Sequence, residues 1–399
     1  MFRPPRVAVI AEFYPRSADP VLGVWSHRQA LAAREAGAEV RVLVLHRLVP
    51  PRSALRAGPT GAMRALAGLA RQPRQQTRDG LAVTYVPYFS PPRSRFYGSW
   101  GVWAAPALAL ALARLRREGF AFELIHAHNA VPAADAAIRT RAGVPLVVSV
   151  HGGDVLYTAP RDARGAQAVR RGLQAARLVL ANSQGIATLC REIAATETRV
   201  VHLGTDLPTA PLRASRSGAP TLVSVAHLVA RKRHADVLRA VAVLCSRHPS
   251  LRYVIIGEGP ERVALEGLAR RLGIAERVEF CGQLHPSAAI ERARACTLFV
   301  MPSTEEAFGV AYVEAMAGGV PAIGCRGEPG PEEIAAAGDG LVLVPPGDIE
   351  RLSQRIEELL SDPDRLREVG LRAQRTISAH FTWEHCGIQT LDAYRDALR

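Results

Sequence analysis

Lysine is nearly missing from this chain. Of 50 basic residues among 399, Lys232 alone is lysine and the rest are arginine. With abundant alanine, this matches a GC-rich coding bias that turns Lys into Arg. A compact ammonium and a planar guanidinium do different chemistry, so the surviving lysine is a candidate functional residue. The six cysteines, Cys190, Cys245, Cys281, Cys296, Cys325 and Cys386, form no CxxC or metal-ligand spacing. That excludes a zinc ribbon and a thioredoxin-like redox pair. Several lie in apolar runs, as reduced core residues of a cytosolic protein do. The apolar run Val102 to Ala113 has 12 residues, short of the roughly 20 a spanning helix needs. Met1-Phe2-Arg3-Pro4-Pro5 leads straight toward a strand, without the apolar core of a signal peptide. No G-x-G-x-x-G follows the first strand, where Ala11-Glu12-Phe13-Tyr14-Pro15 stands instead. A dinucleotide-dependent dehydrogenase is excluded there.

What is present is a repeated alternation of short apolar runs and helical stretches. Val7–Ile10, Val40–Leu45, Leu124–Ala127, Leu146–Val150 and Leu178–Ala181 read as buried strands. The alternation restarts at Leu222–Val225 and Tyr253–Ile256, then continues through Leu298–Met301 and Ala322-Ile323. Such a pattern implies parallel sheets covered by helices on both faces. The expected architecture is α/β, with two Rossmann-like domains facing across a cleft. Their expected bounds are 1–205 and 206–381, with a final helix of about 382–399 returning to the first. The Pro-, Ser- and Gly-rich stretch from Thr205 to Pro220 reads as the linker.

Charge divides the halves. Residues 1–205 carry 27 Arg against 12 acids, and residues 206–399 carry 22 Arg and one Lys against 25 acids. The net charges are therefore +15 and −2, matching the +13 of the whole chain. A basic first half fits an anionic partner. No nucleic-acid recognition motif accompanies it, so an anionic membrane surface or lipid phosphate is the expected partner. Within it, His46 to Gly80 holds seven arginines and one acid, Asp79. Met63, Leu66 and Leu69 fall on one helical face there, as in an interfacial helix.

The most informative segment runs from Thr304 to Gly319. Leu298–Met301 ends at Pro302-Ser303, and Phe308 to Ala317 reads as a helix closed by Gly318. Glu306 then lies in the loop beyond a strand, and Glu314 lies further along the helix. Between them come the amides of a helix start, with Gly309 allowing close approach. Such an end holds anions, phosphate above all. The flanking carboxylates accept hydrogen bonds from hydroxyls. Sugar hydroxyls on either side of a diphosphate describe a nucleotide-sugar.

This segment resembles the Glu-x7-Glu signature of retaining GT-B glycosyltransferases, family 4 in particular. The resemblance implies that Glu306 contacts the donor hexose and Glu314 the ribose, with Phe308, Gly309 and Val310 beside them. Ser224 to Lys232 is similar to the family's Gly-Arg-Leu-x-x-x-Lys loop, which gives Lys232 the donor diphosphate. Here Ala226 replaces the glycine and His227 the arginine, so one hydrogen bond stands where a fork would be. His151-Gly152-Gly153-Asp154 resembles the family's His-Gly-Ser-Asp, implying that His151 touches the donor sugar near the reacting carbon. Asp154 is a weaker acceptor-side candidate. Gly23 and Gly282 match positions at the diphosphate and in the base pocket. Gly257-Glu258-Gly259-Pro260 matches a structural turn. Val201 to Asp206 is similar to the family's interdomain hinge, and Phe381-Thr382-Trp383-Glu384 to its carboxyl-terminal signature.

Asp362-Pro363-Asp364 imitates a metal-binding DxD but reads as a helix cap and first turn. No metal and no cofactor are expected, the nucleotide-sugar being a substrate. The implied function is transfer of a hexose from a UDP- or GDP-sugar to an acceptor hydroxyl, that of a lipid-linked saccharide. The expected location is cytoplasmic, at the inner face of the plasma membrane. The rivals are a nucleotide-sugar epimerase, a glycoside phosphorylase, and a non-catalytic nucleotide-sugar or anionic-lipid binding protein.

Overall fold

A computed structural model of the chain describes residues 3–50, 52–209 and 218–399. Residues 210–217 of the expected linker, and the first two residues, lie outside these. The chain forms two compact units, Met1–His202 with Trp383–Arg399, and Leu203–Thr382.

The first unit contains β1 (Arg6–Ala11), β2 (Glu39–Arg47), β3 (Gln75–Arg78), β4 (Leu81–Tyr88), β5 (Leu124–His128), β6 (Leu146–Val150), β7 (Leu178–Ala181) and β8 (Thr198–Val200). They form one sheet in the order β3-β4-β2-β1-β5-β6-β7-β8. All five residues of β5 and of β6 are buried. A central parallel strand covered on both faces requires such unbroken apolar runs. Only the edge departs from the all-parallel expectation, because β3 pairs antiparallel with β4. Asp79-Gly80 joins them with φ of 46° and 74°, the geometry of a two-residue hairpin turn. The helix Trp383–Ala397 packs against Val24–Glu35. An added Cβ on Gly387 would lie 2.3 Å from Ala32 O, so the two backbones touch.

The basic segment is structured. Helices Arg52–Arg56 and Gly58–Ala70 occupy it, and the second buries none of its residues. Met63 and Leu66 are exposed on it. The apolar run at 102–113 belongs to a longer helical stretch, Arg93–Arg117, long and apolar enough by composition to cross a membrane. Its inner face packs on the chain, with Gly101 against Asp135, while Val102, Trp103 and Leu110 are exposed.

The second unit contains β9 (Thr221–Val225), β10 (Arg252–Ile256), β11 (Val278–Gly282), β12 (Leu298–Val300), β13 (Ala322–Cys325) and β14 (Leu341–Val344), ordered β11-β10-β9-β12-β13-β14 and parallel throughout. Leu222, Leu298, Val300, Ile255 and Ile323 of the sheet meet Val237, Val241 and Ile356 of the covering helices in one core. Helix Ile349–Leu360 shows how sequence sets this. Asp348 caps its start by accepting from Arg351 N at 2.8 Å, and Leu352, Ile356 and Leu359 recur on the buried face. In both sheets the irregular segments after the strands collect at the carboxyl ends, where open α/β sheets bind ligands.

Candidate active site

In the second unit, β9 and β12 are neighbours, and the segments beyond them converge. Beyond β9, Ala230–Lys232 make a tight helical turn. Beyond β12, Thr304 N donates to Arg231 O at 2.8 Å, which stitches the two loops together. Lys232 Nζ and Glu306 Oε2 form an ion pair, with their side chains 11% and 10% exposed. Ser303 Oγ donates to the same oxygen at 2.9 Å. Glu306 N donates to Glu328 Oε2 at 2.8 Å, and Glu306 O accepts from Gly330 N at 3.0 Å. Burial is the largest influence on the Glu306 carboxyl and pushes its pKa up. The Lys232 charge and hydrogen bond, with Ser303 and Arg231, outweigh it and hold the pKa below its ordinary value. Glu306 is thus an ionised acceptor fixed in position.

The helix begins at Val310, two residues later than its sequence suggests, because Gly309 takes φ 88°. An added Cβ there would lie 2.4 Å from the Tyr312 ring. Glycine is therefore required by the loop itself, apart from any ligand. Phe308 can serve the expected donor site through its backbone alone. Its side chain is buried, 5.8 Å from the Phe381 ring, so only its backbone is left to meet a donor. Glu314 lies partly buried on Val310–Ala317, and its carbonyl accepts from Arg294 Nε at 2.9 Å. His227 is exposed at the end of the β9 segment. Gly282, with φ 70°, closes β11 against Glu258. Gly257 and Gly259 touch the backbone of Ala226 and Leu228, which confirms their turn as a packing feature. Asp362 accepts from Arg365 N at 2.9 Å and caps the helix Pro363–His380.

Gly23, His151 and Asp154 belong to the first unit. Gly23 starts the helix Val24–Glu35 with φ 65°, against the Phe13 carbonyl. His151 follows β6, and its Nε2 lies 2.9 Å from His128 Nδ1, the rings stacked at 5.2 Å. Burial drives the His151 pKa down to about 3, so both rings are neutral at physiological pH. One proton joins them, and His151 Nδ1 is buried with no partner among the described residues. His128 was not singled out from sequence. The alternation His126-Ala127-His128 in a strand is the signal, since it puts both imidazoles on one face. Asp154 differs from its acceptor-side expectation. It is 1% exposed and accepts from Ala130 N and Val131 N at 2.8 and 3.2 Å. Burial lifts its pKa to about 7 against those bonds. Its side chain fixes the turn after β5.

Glu12 was also passed over. It directly follows β1, is 6% exposed, and has Tyr97 Oη 2.7 Å from Oε2. Among the described residues no group of three or more His, Cys, Asp or Glu is arranged to hold a metal.

Comparison with known proteins identifies the family and the fold. The family described as Glycosyl transferases group 1 matches residues 213–376, and Glycosyltransferase Family 4 matches residues 22–208. The D-inositol 3-phosphate glycosyltransferase of Rhodococcus jostii is 31% identical over 71% of this chain and 68% of its own. A GDP-mannose-dependent monoacylated α-(1-6)-phosphatidylinositol monomannoside mannosyltransferase of Corynebacterium glutamicum is 30% identical over 42% of this chain and 45% of its own. The chain spans less than half the length of several curated relatives that it matches. Sucrose-phosphate synthase of Thermosynechococcus elongatus superposes with a TM-score of 0.77 at 21% identity, covering 98% of each chain. With two parallel-sheet α/β domains and these matches, the chain belongs to the group 1 glycosyl transferases of the GT-B fold.

Proposed function

We propose that this protein is a retaining, metal-independent glycosyltransferase that moves a hexose from a nucleoside diphosphate sugar to an acceptor hydroxyl. The observation that carries this reading is the buried Lys232–Glu306 pair beside the start of helix Val310–Ala317. An ammonium has three N–H donors, and one engages Glu306. The others, with the helix amides, stabilise the diphosphate as the glycosidic bond breaks. Glu306 accepts from hexose hydroxyls and Glu314 from the ribose. The leaving phosphate receives the acceptor proton, and transfer takes place on one face of the sugar.

Two relatives described above are named for acceptors that carry phosphate, an inositol phosphate and a phosphatidylinositol mannoside. With the basic first half, this supports a phosphate-bearing or lipid-linked saccharide acceptor. It also supports a cytoplasmic enzyme seated on an anionic membrane surface. The test is donor turnover with UDP- and GDP-hexoses, followed by mass spectrometry of the sugar product. Glu306→Gln should lower turnover roughly 10²-fold, the scale of one lost transition-state contact. Unchanged turnover in Glu306→Gln would remove the assignment.

A further inference from the structure

The carboxyl ends of three adjacent strands in the first unit, β4, β2 and β1, carry arginine N–H donors that their own fold does not use. Arg47 ends β2, Tyr88 ends β4, and Glu12 and Arg16 follow β1. Arg93 and Tyr97 enter from the segment after β4. Arg16, Arg47 and Arg93 all act on the Glu12 carboxyl. None is in direct hydrogen-bond contact with that carboxylate; the nearest, Arg93 Nη1, is 3.9 Å away. Burial, opposed by those cations and by the Tyr97 hydrogen bond, still leaves the Glu12 pKa raised. The arginines lower the Glu12 pKa from a distance, without a hydrogen bond to its carboxylate.

Arg93 and Arg16 keep donors for another group, whereas Arg47 spends its own on Ser90 and Pro91. The Arg93 guanidinium lies over the Tyr97 ring at 4.2 Å and the Phe13 ring at 5.2 Å. Its N–H groups have no hydrogen-bond acceptor among the described residues, and its side chain is 49% exposed. Arg16 gives one Nη2 bond to Glu12 O at 3.2 Å, while its Nε is buried without a partner. Tyr88 Oη is likewise buried and unpartnered. Arg47 is held by Ser90 and over Trp100 at 4.6 Å. Stacking on aromatic faces fixes guanidinium planes without using their N–H forks. Buried polar atoms without partners are costly in a folded chain, and two of them, Tyr88 Oη and Arg16 Nε, lie beside the Glu12 carboxylate. Asp19 faces Arg16 across a tight turn and Asp154 lies near Glu12. Three cations thus oppose three acids, one of them with a pKa near 7.

We propose that Arg93, Arg16 and Tyr88 form an anion subsite that binds the phosphate group of the acceptor. A phosphate ester brings the acceptor oxygens that planar guanidinium forks and a phenol match. This rests on reading the first unit as the acceptor-binding half, and it uses no residue of the donor loop at Lys232.

The test is calorimetric titration of the whole chain with sn-glycerol 3-phosphate, with and without saturating UDP and GDP. One equivalent should bind whether or not nucleotide is present. Arg93→Gln, a half-exposed position, should weaken it about 10-fold or more, the scale of a charged hydrogen bond. Glu12→Gln should strengthen it, because the opposing carboxylate is gone. A merely structural cluster would weaken in both variants. Absence of binding, displacement by either nucleotide, or an unchanged Arg93→Gln would overturn the subsite. Failure of UDP and GDP to bind, with glycerol phosphate still held through Arg93, would instead count against the donor reading alone. Vesicles of phosphatidylglycerol and of phosphatidylcholine form a second arm. Arg93-dependent retention on the anionic vesicles assigns the phosphate to a lipid headgroup, and binding of only the soluble ester assigns it to a free sugar phosphate.

Discussion

Each unit of this protein holds one buried glutamate just beyond a central strand, and the two titrate in opposite directions. Glu12 is 6% exposed and Glu306 is 7% exposed. Burial raises both, yet only Glu306 ends below its ordinary pKa. The difference is contact. Lys232 touches Glu306 directly, whereas the nearest guanidinium to Glu12 stands 3.9 Å away. In a poorly solvated site, a hydrogen-bonded opposite charge decides the ionisation, and several charges without contact do not. One site is therefore a contacting ion pair and the other a set of arginines that surround a carboxylate without touching it.

Breaking the matched pair should have the largest effect. Lys232→Ala leaves a buried carboxylate without its partner, at a cost of about 3–5 kcal/mol to the second unit. Chemical unfolding at neutral pH measures this. The corresponding Arg93→Gln in the first unit should change stability by under ~1 kcal/mol, because its pair with Glu12 is long and its side chain half-exposed. Equal losses in both would end the distinction. Next in size is Gly309→Ala, which forces a side chain into positive φ against Tyr312. A loss of about 1–3 kcal/mol is expected, with donor affinity falling alongside.

Acid titration sharpens the comparison further. Glu306 has a depressed folded pKa, so its stabilisation is full above the unfolded value of about 4.3 and is lost as pH falls through the lower folded value. Glu12 has a raised folded pKa, so stability falls as pH rises from about 4.3 through its folded value. Unfolding followed from pH 3 to 7 should show Glu12→Gln gaining on wild type as pH rises and Glu306→Gln losing. Parallel profiles for the two variants would refute the opposite shifts. The smallest effect is expected at Asp362→Ala, which removes a cap worth about 1 kcal/mol and should leave donor turnover unchanged. A loss of turnover there would revive a metal-binding reading of Asp362-Pro363-Asp364.

The central strands were legible because parallel strands covered on both faces have unbroken apolar runs, as Leu146–Val150 does. The edges were not. Leu81–Tyr88 alternates buried and half-buried residues and carries Pro87, so it offers no unbroken apolar run to mark a strand. The hairpin preceding it announces itself only through Asp79-Gly80. Glu306, Glu314 and Lys232 could be singled out individually from their local text. Their pairing could not, because Lys232 and Glu306 are 74 residues apart and meet only when β9 lies beside β12. The burial of the Phe308 side chain is hidden for the same reason, since Phe381 reaches it from the far end of the unit. Glu12 and Arg93 escaped notice because single charged residues after strands are common, and only folding shows which of them lack a partner.

Calorimetric binding of UDP and GDP to wild type and to Lys232→Ala, with unfolding curves to establish that the variant is folded, separates a donor site from a structural ion pair. One nucleotide should bind, and the folded variant should hold it at least about 10-fold more weakly, the loss expected for a charged contact. Binding of neither nucleotide to wild type, or equal binding by the folded variant, would contradict the donor site.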